Sequence, residues 1–273
     1  LLVHIDIASV TSSTIYNLTV NECEIYNGKR GIWMRGETAN ALKVSGVTIS
    51  NNSIHDVWHR GINIGQTYTS TANGADAVLG LVISGNHIYD CDESTQPDIS
   101  AIVWSYTTDA LVVGNLIHDM GGAGTGNGMF NWGLNVRSVM RGNEVYNIFR
   151  GSVSAGDAVC LNLDSGAQDC IVEYNYVHDS QGMGMCCYSY ASGAKPAGVG
   201  DWTNNTFRYN VVQNCGTERF GAIVVLGDDK DGCDVYNNTF IQTSTVSGTA
   251  IVLYDTTAYA ATLTKNFRFY NNI

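Results

Sequence analysis

Apolar positions recur along the chain in a fixed frame around one polar residue. The phrase Asn-x-[Ile/Val]-[His/Tyr]-[Asp/Asn] starts at Asn52, Asn86, Asn115, Asn143 and Asn175, with looser copies at Asn210 and Asn238 and a cut-off copy at Asn272. Cys23 takes the anchor place in the first copy. Three residues before the anchors stand Val20, Ile49, Ile83, Val112, Met140, Val172, Phe207, Val235 and Phe269. Two residues after them stand Ile25, Ile54, Ile88, Ile117, Val145, Val177, Val212 and Phe240. Alternation on both sides of a polar turn residue predicts strand, turn, strand. A further strand follows each motif, as in Gly31–Met34, Gly61–Ile64, Ala101–Trp104, Ala158–Leu161, Ala222–Val225 and Ala250–Leu253. None of these segments has a helical period.

Successive anchors lie 29, 34, 29, 28, 32, 35, 28 and 34 residues apart. A constant motif with elastic spacing describes a constant structural unit with loops of variable length. Short strands repeating about every 30 residues without helices fit a solenoid whose coils stack at the ordinary strand spacing of about 4.8 Å. The anchors would then form a column of amides hydrogen-bonded from coil to coil. The expected fold is all-β: a single-stranded right-handed parallel β-helix of about nine coils with an Asn ladder, forming one domain over 1–273. The last residues, Tyr270–Ile273, stop inside a motif, so the sequence reads as a piece of a longer chain.

These Asn-centred repeats resemble the right-handed parallel β-helix proteins of the pectate-lyase-like superfamily, from Leu18 to Ile273. The resemblance implies that fold and an association with glycans, but the architecture also serves tailspikes, adhesins and surface-layer proteins. The aspartate-rich and Gly-His-Gly signatures of polygalacturonases are absent. So are a pectate-lyase Arg motif and a mannuronan-epimerase Asp-Pro-His motif, so no particular enzyme family is matched.

Composition narrows the function. Lys and Arg total 14 against 25 Asp and Glu, a net charge of −11, which disfavours nucleic acid as a partner. Apolar runs are only a handful of residues long, too short for a membrane-spanning helix. Hydrophobic residues make up 44%, enough for a packed core. Cys170, Cys233, Cys91 and Cys215 fall in apolar registers and read as small core residues. Cys160, Cys186 and Cys187 leave room for one disulfide. No spacing suggests a metal site, and no cofactor is expected, except Ca²⁺ if the chemistry is that of a lyase. The pairs His55-Asp56, His118-Asp119 and His178-Asp179 tempt toward catalysis. Tyr26, Tyr89 and Tyr146 fill the His place in other coils, however, which favours ring stacking and turn capping.

The second strand carries the candidate binding face. If Ile32, Met34, Ile62, Ile64, Val159, Leu161, Ile223 and Val225 point inward, then Trp33, Arg35, Asn63, Asn162, Asp164, Tyr188 and Tyr190 face outward. Trp104, Tyr106, Asn131 and Trp132 lie in comparable segments whose register is open. Rings, amides and carboxylates in rows suit a sugar chain. The longer insertions, Gln66–Val78, Cys91–Asp98, Met120–Asn127 and Ser189–Trp202, sit beside this strand and would wall it. Glycoside hydrolysis needs two carboxylates, and Asp164, Asp228, Asp157 and Asp229 are the candidates. Two coil steps from Asp164 to Asp228 or Asp229 span roughly 9.6 Å, near the inverting limit. A lyase would instead use a base with an Arg, and Lys29-Arg30 and His59-Arg60 occupy matching places on neighbouring coils. The leading expectation is an extracellular or cell-surface glycoside hydrolase acting on a neutral or mixed polysaccharide. A polysaccharide lyase is the first alternative. The second is a non-catalytic β-helix adhesin, tailspike-like or surface-layer piece that oligomerises or stacks end to end.

Overall fold

The computed structural model describes residues 3–6, 15–36, 44–66, 78–92, 98–151, 158–190, 195, 198–218, 221–227, 229–243, 249–254 and 264–273. Asp157 and Asp228 lie outside the described residues, as do most of the insertions after Gln66 and Cys91 and part of the one after Ser189. Within the described residues every element is a strand, and all pairings are parallel.

Three walls wind into a parallel β-helix. The anchor wall holds the strands that follow each anchor, such as His87–Cys91, Leu116–Met120 and Glu144–Ile148. The groove wall holds the next strands, such as Ile99–Trp104, Gly126–Asn131, Val159–Leu163 and Met183–Ser189. In the early coils one long strand serves both walls, Glu24–Gly36 and then Ser53–Gln66. The return wall holds the strands before each anchor, such as Val82–Ser84, Leu111–Val113 and Val139–Arg141. Each strand pairs with its counterpart one coil away.

The registers follow the sequence frame. Val20, Ile49, Ile83, Val112, Met140, Val172, Phe207, Val235 and Phe269 pair in one continuous column. Ile25 to Phe240 form the matching column on the anchor wall. Both columns supply the main core, and burying such aliphatic rows is the largest favourable contribution to folding.

The amide column is unbroken from Asn52 to Asn272. Each Nδ2 donates to the Oδ1 of the next anchor at 2.8–3.0 Å. That Oδ1 also accepts the backbone N–H of the preceding anchor. The second Nδ2 hydrogen goes to a return-wall carbonyl, as from Asn143 to Val112 at 3.0 Å. Anchors from Asn52 to Asn238 are 1% exposed, so each amide satisfies groups that water does not reach.

The His-Asp pairs resolve as architecture. Tyr26, His55, Tyr89, His118, Tyr146 and His178 stack as one column, with centroids 4.7–5.5 Å apart. His55, His118 and His178 each bond through Nδ1 to the following Asp at 2.7–2.9 Å. Asp56, Asp119 and Asp179 hold φ between 48° and 52°, the left-handed turn that Asp and Asn tolerate. All eight cysteines are free, which corrects the allowance for a disulfide among Cys160, Cys186 and Cys187. Cys160 and Cys187 lie in the main core, whereas Cys186 takes the opposite register and joins a separate outer cluster.

Small residues share one register near the start of the groove-wall strands, among them Ala101, Gly128 and Cys160. A Cβ on Gly128 would come within 2.3 Å of the Cys160 carbonyl oxygen and 2.9 Å of a Val145 methyl. Gly128→Ala is therefore expected to cost about 1–3 kcal/mol, read from denaturant unfolding. An unchanged midpoint would mean that the coil opens there without strain.

Candidate active site on the groove wall

Parity along the groove wall separates core from face. Ile32, Ile62, Ile102, Met129, Leu161, Met185 and Ile223 are paired in sequence and buried in the main core. Their neighbours Trp33, Asn63, Val103, Phe130, Asn162, Cys186 and Val224 pair in the adjacent outward row. Trp33, Asn63 and Asn162 thus stand where the alternation put them. Val103, Phe130, Cys186 and Val224 form an apolar outer cluster with Val159 and Met183, and these side chains are buried although they face away from the core. Val159 was expected to point inward with Leu161; it does not, because Cys160 takes the core place at the start of that strand and breaks the alternation.

Trp104 and Asn131 take the inward register, opposite Ile64 and Leu163, and both are fully buried. They do not line the outer face. Because Ala101-Ile102-Val103-Trp104 is apolar throughout, it offers no alternation to read. Tyr106 sits at the following corner with φ 56°, buried, with its ring under Gly133 and its phenol pushed up by burial. The backbone of Arg35 pairs with Gly65, and its side chain lies outside the described residues.

Asp164 stands one residue beyond the Asn131–Leu163–Cys187 register, on the outward side. The same step places Trp132 on the preceding coil and Tyr188 on the following one. The Asp164 N–H donates to the Asn131 carbonyl at 2.8 Å, and the Trp132 N–H to the Trp104 carbonyl at 3.0 Å. Asp164 Oδ2 accepts from Asn162 Nδ2 at 3.1 Å, and Oδ1 accepts the Ser165 N–H at 2.5 Å. The Asp164 residue is 5% exposed, and the Asn162 Oδ1 is a buried acceptor with no partner among the described residues. Trp132 and Tyr188 are half-buried, and Tyr188 meets Tyr190 edge-on at 5.5 Å. The Tyr190 N–H reaches Ser165 Oγ at 3.1 Å, which ties the loop back to the Asp164 turn. Asp229 lies on the turn after Gly221–Gly227, with φ 59°.

A second cluster occupies the early coils of the same wall. Arg60 pairs with Ser100 and with Arg30 on either side. Arg60 Nη2 donates to Asp98 Oδ2 at 2.9 Å, while Ser100 Oγ and Asn127 Nδ2 reach Asp98 Oδ1 at 2.7 and 3.0 Å. Arg30 lies over the Trp33 ring at 4.2 Å. Burial tends to raise the Asp98 carboxyl, but Arg60, the Ser100 hydroxyl and His59 outweigh it and hold it below the usual range. Asp98 was missed in the sequence. The usable signal was that Ser100 falls opposite Arg60, which puts Asp98 on the same side two residues earlier.

Burial, then Arg60, lowers His59 to about 4, with Arg30 and Lys29 adding to the effect and Asp98 opposing it. The unfolded chain therefore takes up a proton here below about pH 6.5, and the folded chain refuses it until about pH 4. Folded stability must fall as pH drops across that window. His59→Gln is expected to remove on the order of 1 kcal/mol of this dependence, discounted for partial exposure. Denaturant titrations at both ends of the window check it, and an unchanged slope would refute it. No group of three His, Cys, Asp or Glu side chains among the described residues is arranged to hold a metal ion.

Parallel winding, an internal amide column and one face bearing rings, amides and a carboxylate define a parallel β-helix protein. The chain belongs to the right-handed β-helix family: the model described as "Right handed beta helix region" matches residues 5–160. No curated protein matches the chain. Among solved structures it is similar to the catalytic unit of a GH87 α-1,3-glucanase from Streptomyces thermodiastaticus, at 14% identity and TM-score 0.57. That match covers 98% of this chain and 50% of the glucanase. It is also similar to a GH136 lacto-N-biosidase from Eubacterium ramulus, at 13% identity and TM-score 0.54, covering 95% of this chain and 45% of the other. At such identity the likeness is one of fold, and the chain spans about half the length of these proteins.

Proposed function

We propose that this chain is the β-helix of a polysaccharide-degrading glycoside hydrolase that works outside the cell or at its surface. The glycan lies along the groove wall. The observation that carries the reading is Asp164, outward on its strand, flanked by Trp132 and Tyr188 and held by Asn162 at 3.1 Å. Aromatic rings stack on the C–H faces of sugars, and amides take their hydroxyls. Asp164 is assigned as one of the two carboxylates such hydrolysis requires. Asp229 lies on the turn after the strand two pairings further along, roughly 9.6 Å by strand spacing and close to the separation of inverting pairs. The names of the two solved structures with the same winding, a glucanase and a lacto-N-biosidase, agree with this reading.

A panel of neutral, mixed and acidic polysaccharides, assayed for new reducing ends and for unsaturated uronates, tests it. Reducing ends without unsaturated products are expected. Unsaturated products would move the chemistry to His59 and Arg60 as a lyase. No turnover with retained glycan binding would make the chain a non-catalytic module.

A further inference from the structure

The charges on the groove wall are unevenly placed. On the return-wall side, arginines have carboxylate partners: Arg137 with Asp109, Arg141 and Arg208 with Glu173, and Arg268 with Asp234. On the groove wall, the cations Lys29, Arg30 and Arg60 gather with His59, neutral above about pH 4, around one described carboxylate, Asp98. They do so in a chain whose net charge is −11. Asp98 is itself well supplied, with three donors on its two oxygens. That leaves Arg60 Nε and His59 Nδ1 as buried nitrogens with no acceptor among the described residues. Gathering like charges raises the free energy of the folded chain unless an anion is bound there. Trp33 lies against Arg30 and offers ring surface beside the cluster.

We propose that Arg60, Lys29 and His59 form a subsite for an anionic group on the glycan, a carboxylate or a sulfate, with Asp98 holding Arg60 in place and competing with that group for it. The substrate class is then an acidic or sulfated polysaccharide, and the inference rests on the reading of the groove wall as a glycan face. The strand of Arg60 lies three pairings from that of Asp164, at least about 14 Å. The anionic unit therefore sits several sugars away from the bond cleaved, so it strengthens binding without being required at the cut.

Calorimetric binding of oligogalacturonate, dextran sulfate and neutral dextran to the parent chain tests the subsite independently of catalysis. One or both acidic probes should bind at least about tenfold more tightly than neutral dextran, and less tightly as salt is raised. Whether the carboxylated or the sulfated probe wins names the group. Arg60→Gln should lose about tenfold for the acidic probe. Lys29→Gln, at an exposed position, should lose about threefold. Asp98→Asn should gain severalfold, because the competing carboxylate is gone while its hydrogen bonds to Ser100 and Asn127 are largely kept. A purely structural Asp98 would give no gain. Equal binding of acidic and neutral probes, or no tightening in Asp98→Asn, overturns the subsite. Acidic binding without any glycan cleavage leaves the subsite standing and removes the hydrolase. Cleavage of neutral glycans without acidic preference does the reverse.

Discussion

Asn143→Ala is expected to destabilise the solenoid by about 3–5 kcal/mol, among the largest effects of any single substitution in this chain. Asn143 donates to the Val112 carbonyl and to Asn175 Oδ1, and its Oδ1 accepts the N–H and Nδ2 of Asn115. Its removal leaves two buried donors on Asn115 and one buried carbonyl without partners, each worth about 1–3 kcal/mol. Alanine also leaves a void between two coils. Asn272→Ala is the matched control. Its side chain is half-buried, and the coil beyond Asn238 is the last described, so about 1 kcal/mol is expected. Urea unfolding of both variants settles the matter. A cost below about 1 kcal/mol at Asn143 would mean that the column decorates a fold held by its apolar rows alone.

Asp164→Asn should lower kcat by about two to four orders of magnitude and leave KM near the parent value. The change is nearly isosteric. Its amide oxygen can still accept the Ser165 N–H, so the turn that carries it should survive. What is lost is the negative charge beside Asn162, which the proposed hydrolysis requires. Trp132→Ala offers the contrast, because a ring that only stacks on sugar should raise KM more than it lowers kcat. Equal turnover in parent and Asp164→Asn, with equal thermal midpoints, would remove Asp164 from the chemistry.

The winding could be read from the sequence because the anchor and its flanking apolar positions repeat against a fixed offset. The paired columns from Val20 to Phe269 and from Ile25 to Phe240 follow from that offset alone. The aromatic column was equally legible, since His and Tyr alternate at one place where only a flat ring serves both. The face was harder to read. Trp104 and Asn131 lie in segments without polar alternation, and the outward row there carries Val103 and Phe130, so the usual contrast between inside and outside vanishes. Asp98 was hidden for a different reason. Its importance comes from a pairing between coils 38 residues apart, which no local pattern announces.

The unoxidised sulfurs spaced along the interior have a practical consequence. Burial lifts the Cys91 thiol to about 12 and the Cys170 thiol to about 11, so neither reacts with an alkylating reagent while its surroundings stay shut. Each therefore works as a built-in reporter, and its modification rate records how often that level of the spiral breathes. Mass mapping of labelled peptides over time would give a rung-by-rung profile of the molecule without adding a single probe.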